Sequence, residues 1–169
     1  MESSLQKTLT YHFKKPDEIS TLILDQIQLL IKKGGGVGSA HIKENLKNAF
    51  LISYALDQED LVIGTVTLKH PKEAYRRKIE RATALDLSGY LERGYTSVDP
   101  EFRNSDVADR LIKGLIERSK GQKIYVTIRM DNTFALALTY KNNMVLAAQF
   151  IDERTGNKIG VFTNKESRP

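Results

Sequence analysis

The stretch Val98-Asp99-Pro100-Glu101-Phe102-Arg103-Asn104-Ser105-Asp106-Val107-Ala108 decides how the rest of the chain reads. Before it comes a strand-like run, Tyr90–Val98. After it comes the clearest amphipathic pattern in the sequence, with Val107, Ala108, Leu111, Ile112, Leu115 and Ile116 at helical spacing. Asp99-Pro100 turns the chain between the two. A strand that ends, a turn at proline and a helix that begins leave several main-chain N–H groups without intrahelical acceptors, at the helix end that carries partial positive charge. Such an end suits an anion, phosphate in particular. Arg103 stands where its guanidinium can reach the same anion. An ordinary strand-to-helix connection fits the same residues, and this stretch alone does not separate the two readings.

Working outward from it, the flanking patterns give an order of elements. Residues 7–13 alternate weakly as a first strand, and Pro16 opens a helix with Asp17 and Glu18 in its first turn. Ile19, Leu22, Ile23, Ile27, Leu30 and Ile31 carry that helix, which Lys32-Lys33 and Gly34 end. Gly34–Gly38 reads as a flexible loop; it lacks the lysine and serine or threonine of a phosphate-binding loop. Ser39 is placed to cap a short helix running to about Lys47. Phe50–Leu56 and Leu61–Leu68 form a hairpin around Asp57-Gln58-Glu59-Asp60. Residues 69–89 are charged and helix-prone, and read as an insertion or lid between strands. Beyond the decisive stretch, Ile124–Arg129 is a strand, Thr133–Asn142 a helix capped by Asp131 or Asn132, and Asn143 a left-handed stop. Val145–Ile151 and Lys158–Thr163 make a last hairpin, with 165–169 a frayed tail. Strands interrupted by crossover helices predict a single α/β domain over residues 1–169, a mixed, mostly antiparallel sheet of about seven strands with helices on both faces.

Composition narrows the chemistry. The 169 residues include no cysteine, which excludes disulfides, zinc–thiolate sites, iron–sulfur clusters and cysteine nucleophiles. His12, His41 and His70 have no metal-ligand spacing, and no nucleophile elbow is present. No apolar run approaches a membrane span and the first residues lack a signal-peptide core, so the expected location is the cytoplasm. Lys+Arg number 26 against 21 Asp+Glu, a formal net charge of +5 that suits a polyanionic partner only weakly. The densest basic cluster, Arg76-Arg77-Lys78 with Arg81, is interleaved with Glu73 and Glu80. That pattern is the mark of a solvated helix face and argues against nucleic acid as a partner.

The decisive stretch resembles motif A of the GCN5-related N-acetyltransferases, in which a strand, often valine–x–proline, is followed by Arg/Gln-x-x-Gly-x-Gly/Ala at a helix start. Here it reads Val98-Asp99-Pro100, then Arg103-Asn104-Ser105-Asp106-Val107-Ala108, continuing Asp109-Arg110-Leu111-Ile112. The element order from about residue 7 to 163 resembles the family layout as well. The resemblance implies an acyl-coenzyme A donor, most simply acetyl-coenzyme A, and no metal. Its pyrophosphate would rest on main-chain amides between Arg103 and Ala108, through Asn104, Ser105, Asp106 and Val107. Its pantetheine arm would pair like an added strand with Tyr95–Val98, Ser97 included. Asn132 matches an asparagine that contacts pantetheine, and Lys141 and Arg110 are further cofactor contacts. Tyr140 matches the acid that protonates the departing thiolate, although the Gly-Phe pair that follows it in the family is missing. Glu92 matches the glutamate that serves as base. Under strict alternation Glu92, Gly94, Thr96 and Val98 share one face, and a bulge would break that parity.

One departure stands out. Asp106 occupies a position where the family has glycine, and Asn104 replaces another. Glycine lets a backbone approach the pyrophosphate, whereas aspartate adds bulk and like charge. Asp106 pointing outward would instead act as a first-turn acid. The resemblance leaves open whether the acceptor is a small-molecule or a protein amine, and whether the chain is a monomer or a homodimer. It also leaves a coenzyme A-binding module without catalysis as a rival, behind which comes a basic nucleic-acid partner using residues 69–81.

Overall fold

The computed structural model describes residues 8–34 and 41–164. The elements run β1 (Thr10–Lys14), α1 (Thr21–Lys33), α2 (Ile42–Lys47), β2 (Leu51–Leu56), β3 (Val62–Lys69), α3 (Glu73–Thr83), β4 (Leu91–Val98), α4 (Val107–Glu117), β5 (Ile124–Arg129), α5 (Thr133–Lys141), β6 (Met144–Ile151) and β7 (Lys158–Asn164). The strands make a seven-stranded sheet in the order β1-β2-β3-β4-β5-β7-β6. β1 with β2, β5 with β7 and β6 with β7 pair antiparallel, and β4 with β5 pairs parallel. The α/β expectation and its element order therefore hold. Two details differ. The helix expected from Pro16 starts at Thr21: Pro16–Glu18 is a separate 3-10 turn, Ile19 is extended, and the Ser20 side chain accepts from the Ile23 N–H as the true cap. Residues 69–89 contain α3, which is a core layer rather than a lid, as its packing below makes clear. The expected cap at Ser39, the loop residues 35–38 and the tail at 165–169 lie outside the described residues.

The chain forms two compact units. The first comprises Met1–Thr67 and Tyr95–Arg118. Its main apolar cluster sets Ile27, Leu30 and Ile31 of α1 and Ile42 and Leu46 of α2 against Ile52, Tyr54 and Leu56 of β2. These β2 residues alternate, so they share one face of the strand. Phe13 of β1 pairs with Ser53, on the other face, and there meets α4. At Gly114 of α4 the Phe13 ring lies where any side chain would have to go, and Arg118 stacks over that ring at 4.0 Å. Gly64 of β3 makes a second close approach: a Cβ there would sit 2.8 Å from Val107 Cγ1 and 3.1 Å from Leu111 Cδ1. Two glycines thus seat α4, Gly64 beneath its first half and Gly114 within its second.

The second unit comprises Leu68–Gly94 and Ser119–Pro169. Here β7 alternates Val161 and Phe162, both fully buried, toward opposite faces. Val161 joins Ile79 and Leu87, Tyr125 and Phe150 in a cluster against which Tyr75 and Leu85 also pack. That cluster is the α3 face. Phe162 instead meets Tyr140 of α5, edge to face at 5.4 Å. Helices therefore cover both faces of this part of the sheet, as the sequence predicts. The β4–β5 pairing consists of Leu91↔Ile124 and Glu92↔Tyr125. The pairing is confined to those residues, although β4 continues to Val98 and β5 to Arg129.

Candidate functional site

In the first unit the decisive stretch forms a compact turn. Asp99 caps the 3-10 turn Pro100–Phe102 by accepting from the Glu101 N–H, and the Asp99 N–H donates to the Ile63 carbonyl at 2.8 Å, tying the turn to β3. Asn104 takes the left-handed conformation at φ 63°, which an asparagine adopts more readily than most residues. The chain then enters α4 at Val107. Among the described residues, the N–H groups of Asn104, Ser105, Asp106, Val107 and Ala108 meet no acceptor within the protein. The side chains of Arg103, Ser105 and Asp106 turn back on their own segment. Arg103 Nε donates to the Val98 carbonyl at 3.3 Å, and the Ser105 hydroxyl donates to the Phe102 carbonyl. The Asp106 carboxylate accepts from Arg110 Nε at 2.8 Å, on the outside of the helix's first turn. It makes no side-chain cap for α4. The result is a helix start whose amides are free and whose N-cap aspartate is engaged with Arg110.

The strand leading into this turn is distorted. Tyr95 has φ 52°, a left-handed residue within β4, and its hydroxyl accepts from Asn45 Nδ2 of α2 at 2.7 Å. A non-glycine residue there costs of order 1–2 kcal/mol, so its neighbours must hold it. The alternation that would put Glu92 and Val98 on one face is broken at this point. Ser97 is half-buried and lies near the end of α1, 3.3 Å from where a side chain at Gly34 would begin.

In the second unit the polar groups are buried side chains. Glu92 is 9% exposed; it accepts from the Tyr125 hydroxyl at 3.2 Å and pairs with Lys69 Nζ at 3.6 Å. Burial, helped by the Glu92 charge, pushes the Tyr125 hydroxyl far above the usual phenol range, so it stays a donor. Arg93 points to the opposite face of β4. It is 5% exposed, with Nη2 donating to Thr139 Oγ1 at 2.9 Å and Nη1 meeting Met144 Sδ at 3.6 Å. Its Nε is buried without a partner, and burial pulls its pKa down to about 10. Asn132 caps α5, its side-chain oxygen accepting from the Ala135 N–H at 3.1 Å. Tyr140 is 52% exposed, and Lys141 is exposed in the last turn of α5.

The predicted site residues thus fall into two sets. Ser97, Val98 and 103–108 are contiguous in the first unit. Glu92, Asn132, Tyr140 and Lys141 belong to the second, where Glu92 and Tyr140 are in different surroundings, one beneath α3 and one on α5. The sequence reading missed Gly64, Arg93, Thr139 and Lys69. One signal was available: Glu92-Arg93 puts opposite charges on the two faces of a strand that reads as central, and both faces of such a strand are buried. The basic cluster of α3 is neutralised locally, by Arg76–Glu80 at 3.6 Å, Arg77–Glu73 at 2.5 Å and Lys78–Asp152 at 3.2 Å. Among the described residues no helix is long and apolar enough to cross a membrane.

No family model and no curated protein matches the sequence. Solved structures do match the fold. An acetyltransferase of the GNAT family from Streptococcus agalactiae superposes with a TM-score of 0.69 at 16% identity, over 93% of this chain and 96% of its own. NAA60 from Arabidopsis thaliana in complex with acetyl-CoA gives 0.68 at 16% identity, over 91% and 98%. The ribosomal-protein-S18-alanine N-acetyltransferase from Escherichia coli gives 0.66 at 10% identity, over 92% and 93%. The chain has the fold of the GCN5-related N-acetyltransferases along nearly its whole length.

Proposed function

We propose that this protein is an acyl-coenzyme A-dependent N-acyltransferase, in the first instance an N-acetyltransferase, acting in the cytoplasm by direct attack of an amine on the thioester. The observation that carries this reading is the run of free amides from Asn104 to Ala108 at the start of α4. A diphosphate is an anion of the right kind for such a helix start. The fold adds support, since NAA60, one of its solved relatives, is seen with acetyl-CoA. Val98 and Ser97 would pair with the pantetheine arm through their main chain. Arg103 and Arg110 add positive charge near the phosphates. The amide group of Asn132, whose oxygen caps α5, and the Lys141 ammonium are the remaining contacts in this reading.

An alkylamine acceptor has an ordinary pKa of about 10.4, so fewer than about one in a thousand molecules is nucleophilic at pH 7, a deficit of about 4–5 kcal/mol. Glu92 is the base in this proposal, positioned by its contacts with Lys69 and Tyr125. Tyr140, with its ring set against Phe162 and about half of the residue exposed, is the acid that returns a proton to the leaving group. The acceptor is an amine of a small molecule or of a protein.

The test is calorimetry with coenzyme A, followed by a thiol-release assay with acetyl-CoA and a panel of amines. Binding and thiol release are expected. Ser105→Asp places a carboxylate among the free amides; it should cut coenzyme A affinity about tenfold or more without loss of stability, because an acid at a helix start is itself stabilising. Unchanged affinity would remove the amides from the donor site. Tyr140→Phe should lower kcat by about a hundredfold and leave KM nearly unchanged; an unchanged kcat would end the acid assignment. Binding without thiol release from any amine would favour the non-catalytic module, a reading to which the engagement of Glu92 by two partners lends weight.

A further inference from the structure

The geometry points to Arg93 and Thr139 as a polarised donor pair that receives the negative charge of the departing coenzyme A thiolate. This inference rests on the acyl-coenzyme A reading and adds to it a part that neither Tyr140 nor Glu92 supplies.

Arg93 is a buried cation with no buried anion to answer it. A guanidinium has five N–H donors. Here Nη2 goes to Thr139 Oγ1, Nη1 to the weak acceptor Met144 Sδ, and Nε is buried with no partner. Its neighbour in sequence, Glu92, projects to the other face and is held there by Lys69 and Tyr125. No acidic or other titratable side chain from β4, β5, α5 or β6 pairs with Arg93 among the described residues. A buried guanidinium left this way is costly to keep and is poised for an anion that arrives later.

Thr139 supplies the second half. It is fully buried on α5, and its oxygen accepts from Arg93. In a helix a threonine hydroxyl commonly donates back to a carbonyl one turn earlier, as Thr83 does to the Ile79 carbonyl at 2.7 Å. Thr139 makes no such bond, and its own proton has no acceptor among the described residues. A hydroxyl that accepts from a cation is a stronger donor through its remaining proton. The pair stands beside the proposed acid and base, all within the second unit. Arg93 is the first residue after Glu92↔Tyr125, where pairing with β5 ends. Thr139 also directly precedes Tyr140 on α5, the residue proposed to protonate the same sulfur.

The charge balance of the step creates the need. The acceptor nitrogen forms a bond to the thioester carbonyl carbon, the C–S bond breaks with its electron pair going to sulfur, and the surplus amine proton passes to the base. Until Tyr140 or solvent protonates it, the sulfur is an anion. Thr139 is then a catalytic residue, its hydroxyl donating to sulfur, and Arg93 is a positioning residue acting through it.

The experiment compares coenzyme A with desulfo-coenzyme A, in which hydrogen replaces the thiol, by calorimetry from about pH 6.5 to about 9.5, either side of the usual thiol value of about 8.5. The wild-type protein is expected to prefer coenzyme A increasingly as pH rises, reaching about tenfold at the top of the range. Thr139→Val, which keeps shape and removes the hydroxyl, should erase the preference while leaving desulfo-coenzyme A affinity unchanged; Thr139→Ser should restore it. Arg93→Gln should erase it likewise, and the threonine variants keep the test decisive if that substitution prevents folding. A wild-type preference that is flat with pH, or one that survives in Thr139→Val, overturns the inference and leaves the acyl-coenzyme A reading standing. Failure of the wild-type protein to bind either ligand overturns both.

Discussion

The two units hold their candidate functional groups in opposite ways. In the first unit the groups on offer are main-chain amides, and the side chains around them are spent on their own segment: Arg103 on Val98, Ser105 on Phe102, Asp106 on Arg110. In the second unit the main chain of β5, β6 and β7 is occupied in the sheet, and the groups on offer are buried side chains, with Arg93 and Thr139 on one face and Glu92 and Tyr125 on the other. A site made of backbone asks only that a helix begin in the right place. A site made of side chains asks for particular residues. The first kind survives wide sequence change, which is consistent with a fold matched at 16% identity and no matching family model. Substitutions in the first unit should therefore act by moving the backbone, and those in the second by changing a chemical group.

The strongest way to break this contrast is Gly64→Val. No candidate group is altered, yet the added Cβ would meet Val107 Cγ1 at 2.8 Å and Leu111 Cδ1 at 3.1 Å. Both atoms belong to side chains, so Gly64→Ala can be accommodated by small shifts, whereas the larger valine must push the start of α4 away. Overpacking of this kind costs about 1–3 kcal/mol. The expected outcome is that loss in urea denaturation, together with at least a tenfold loss of coenzyme A affinity. A valine variant that loses stability but binds normally would show that the amide array tolerates displacement, and the backbone argument would fail.

The same contrast explains what the sequence disclosed. Helix α4 was legible because Val107, Ala108, Leu111, Ile112 and Leu115 are all buried on one side of it, and periodicity reports burial directly. The left-handed stop at Asn143, observed at φ 62°, was legible from local chemistry alone. The helix start at Thr21 was missed because Pro16 and Ser20 are both legitimate openings, and the burial of an extended Ile19 decides between them. The role of α3 was hidden because its single fully buried residue, Ile79, leaves a charged helix with almost no apolar stripe. Arg93 with Thr139, and Lys69 with Glu92, join residues 46 and 23 positions apart, and no local pattern in the sequence encodes those meetings.

Asp106→Gly sharpens the comparison at a smaller scale. The side chain stands outside the amide array, 58% exposed and paired with Arg110 in an i,i+4 bridge. An exposed pair of this kind is worth about 0.3–0.5 kcal/mol, and glycine at a helix N-cap costs only a few tenths. Stability should fall by less than about 1 kcal/mol. Removing a negative charge near the phosphates and freeing Arg110 should tighten coenzyme A binding severalfold, with the gain shrinking at high salt because the charges are exposed. Calorimetry at low and high salt reads both effects. No gain at low salt would mean that the aspartate lies beyond electrostatic reach of the ligand, leaving affinity to the amides alone.

The smallest effect expected is a pH dependence in the first unit. Burial, followed by the nearby Lys14, holds the His12 pKa below its ordinary value, with Asp60 opposing; the neutral ring stacks on Tyr54 at 5.0 Å. In the unfolded chain the ring titrates near about 6.5. The unfolded state therefore binds the proton first as pH falls, so the contribution of His12 is complete above that value and is lost on acidification through the folded value. The wild-type urea midpoint should drop slightly more than that of His12→Phe between about pH 7.5 and about pH 5.5, whereas coenzyme A affinity should respond identically in the two proteins. A larger response of affinity than of stability would mean that a side chain of the first unit helps to hold the ligand, and a site there built from main-chain groups would no longer account for binding.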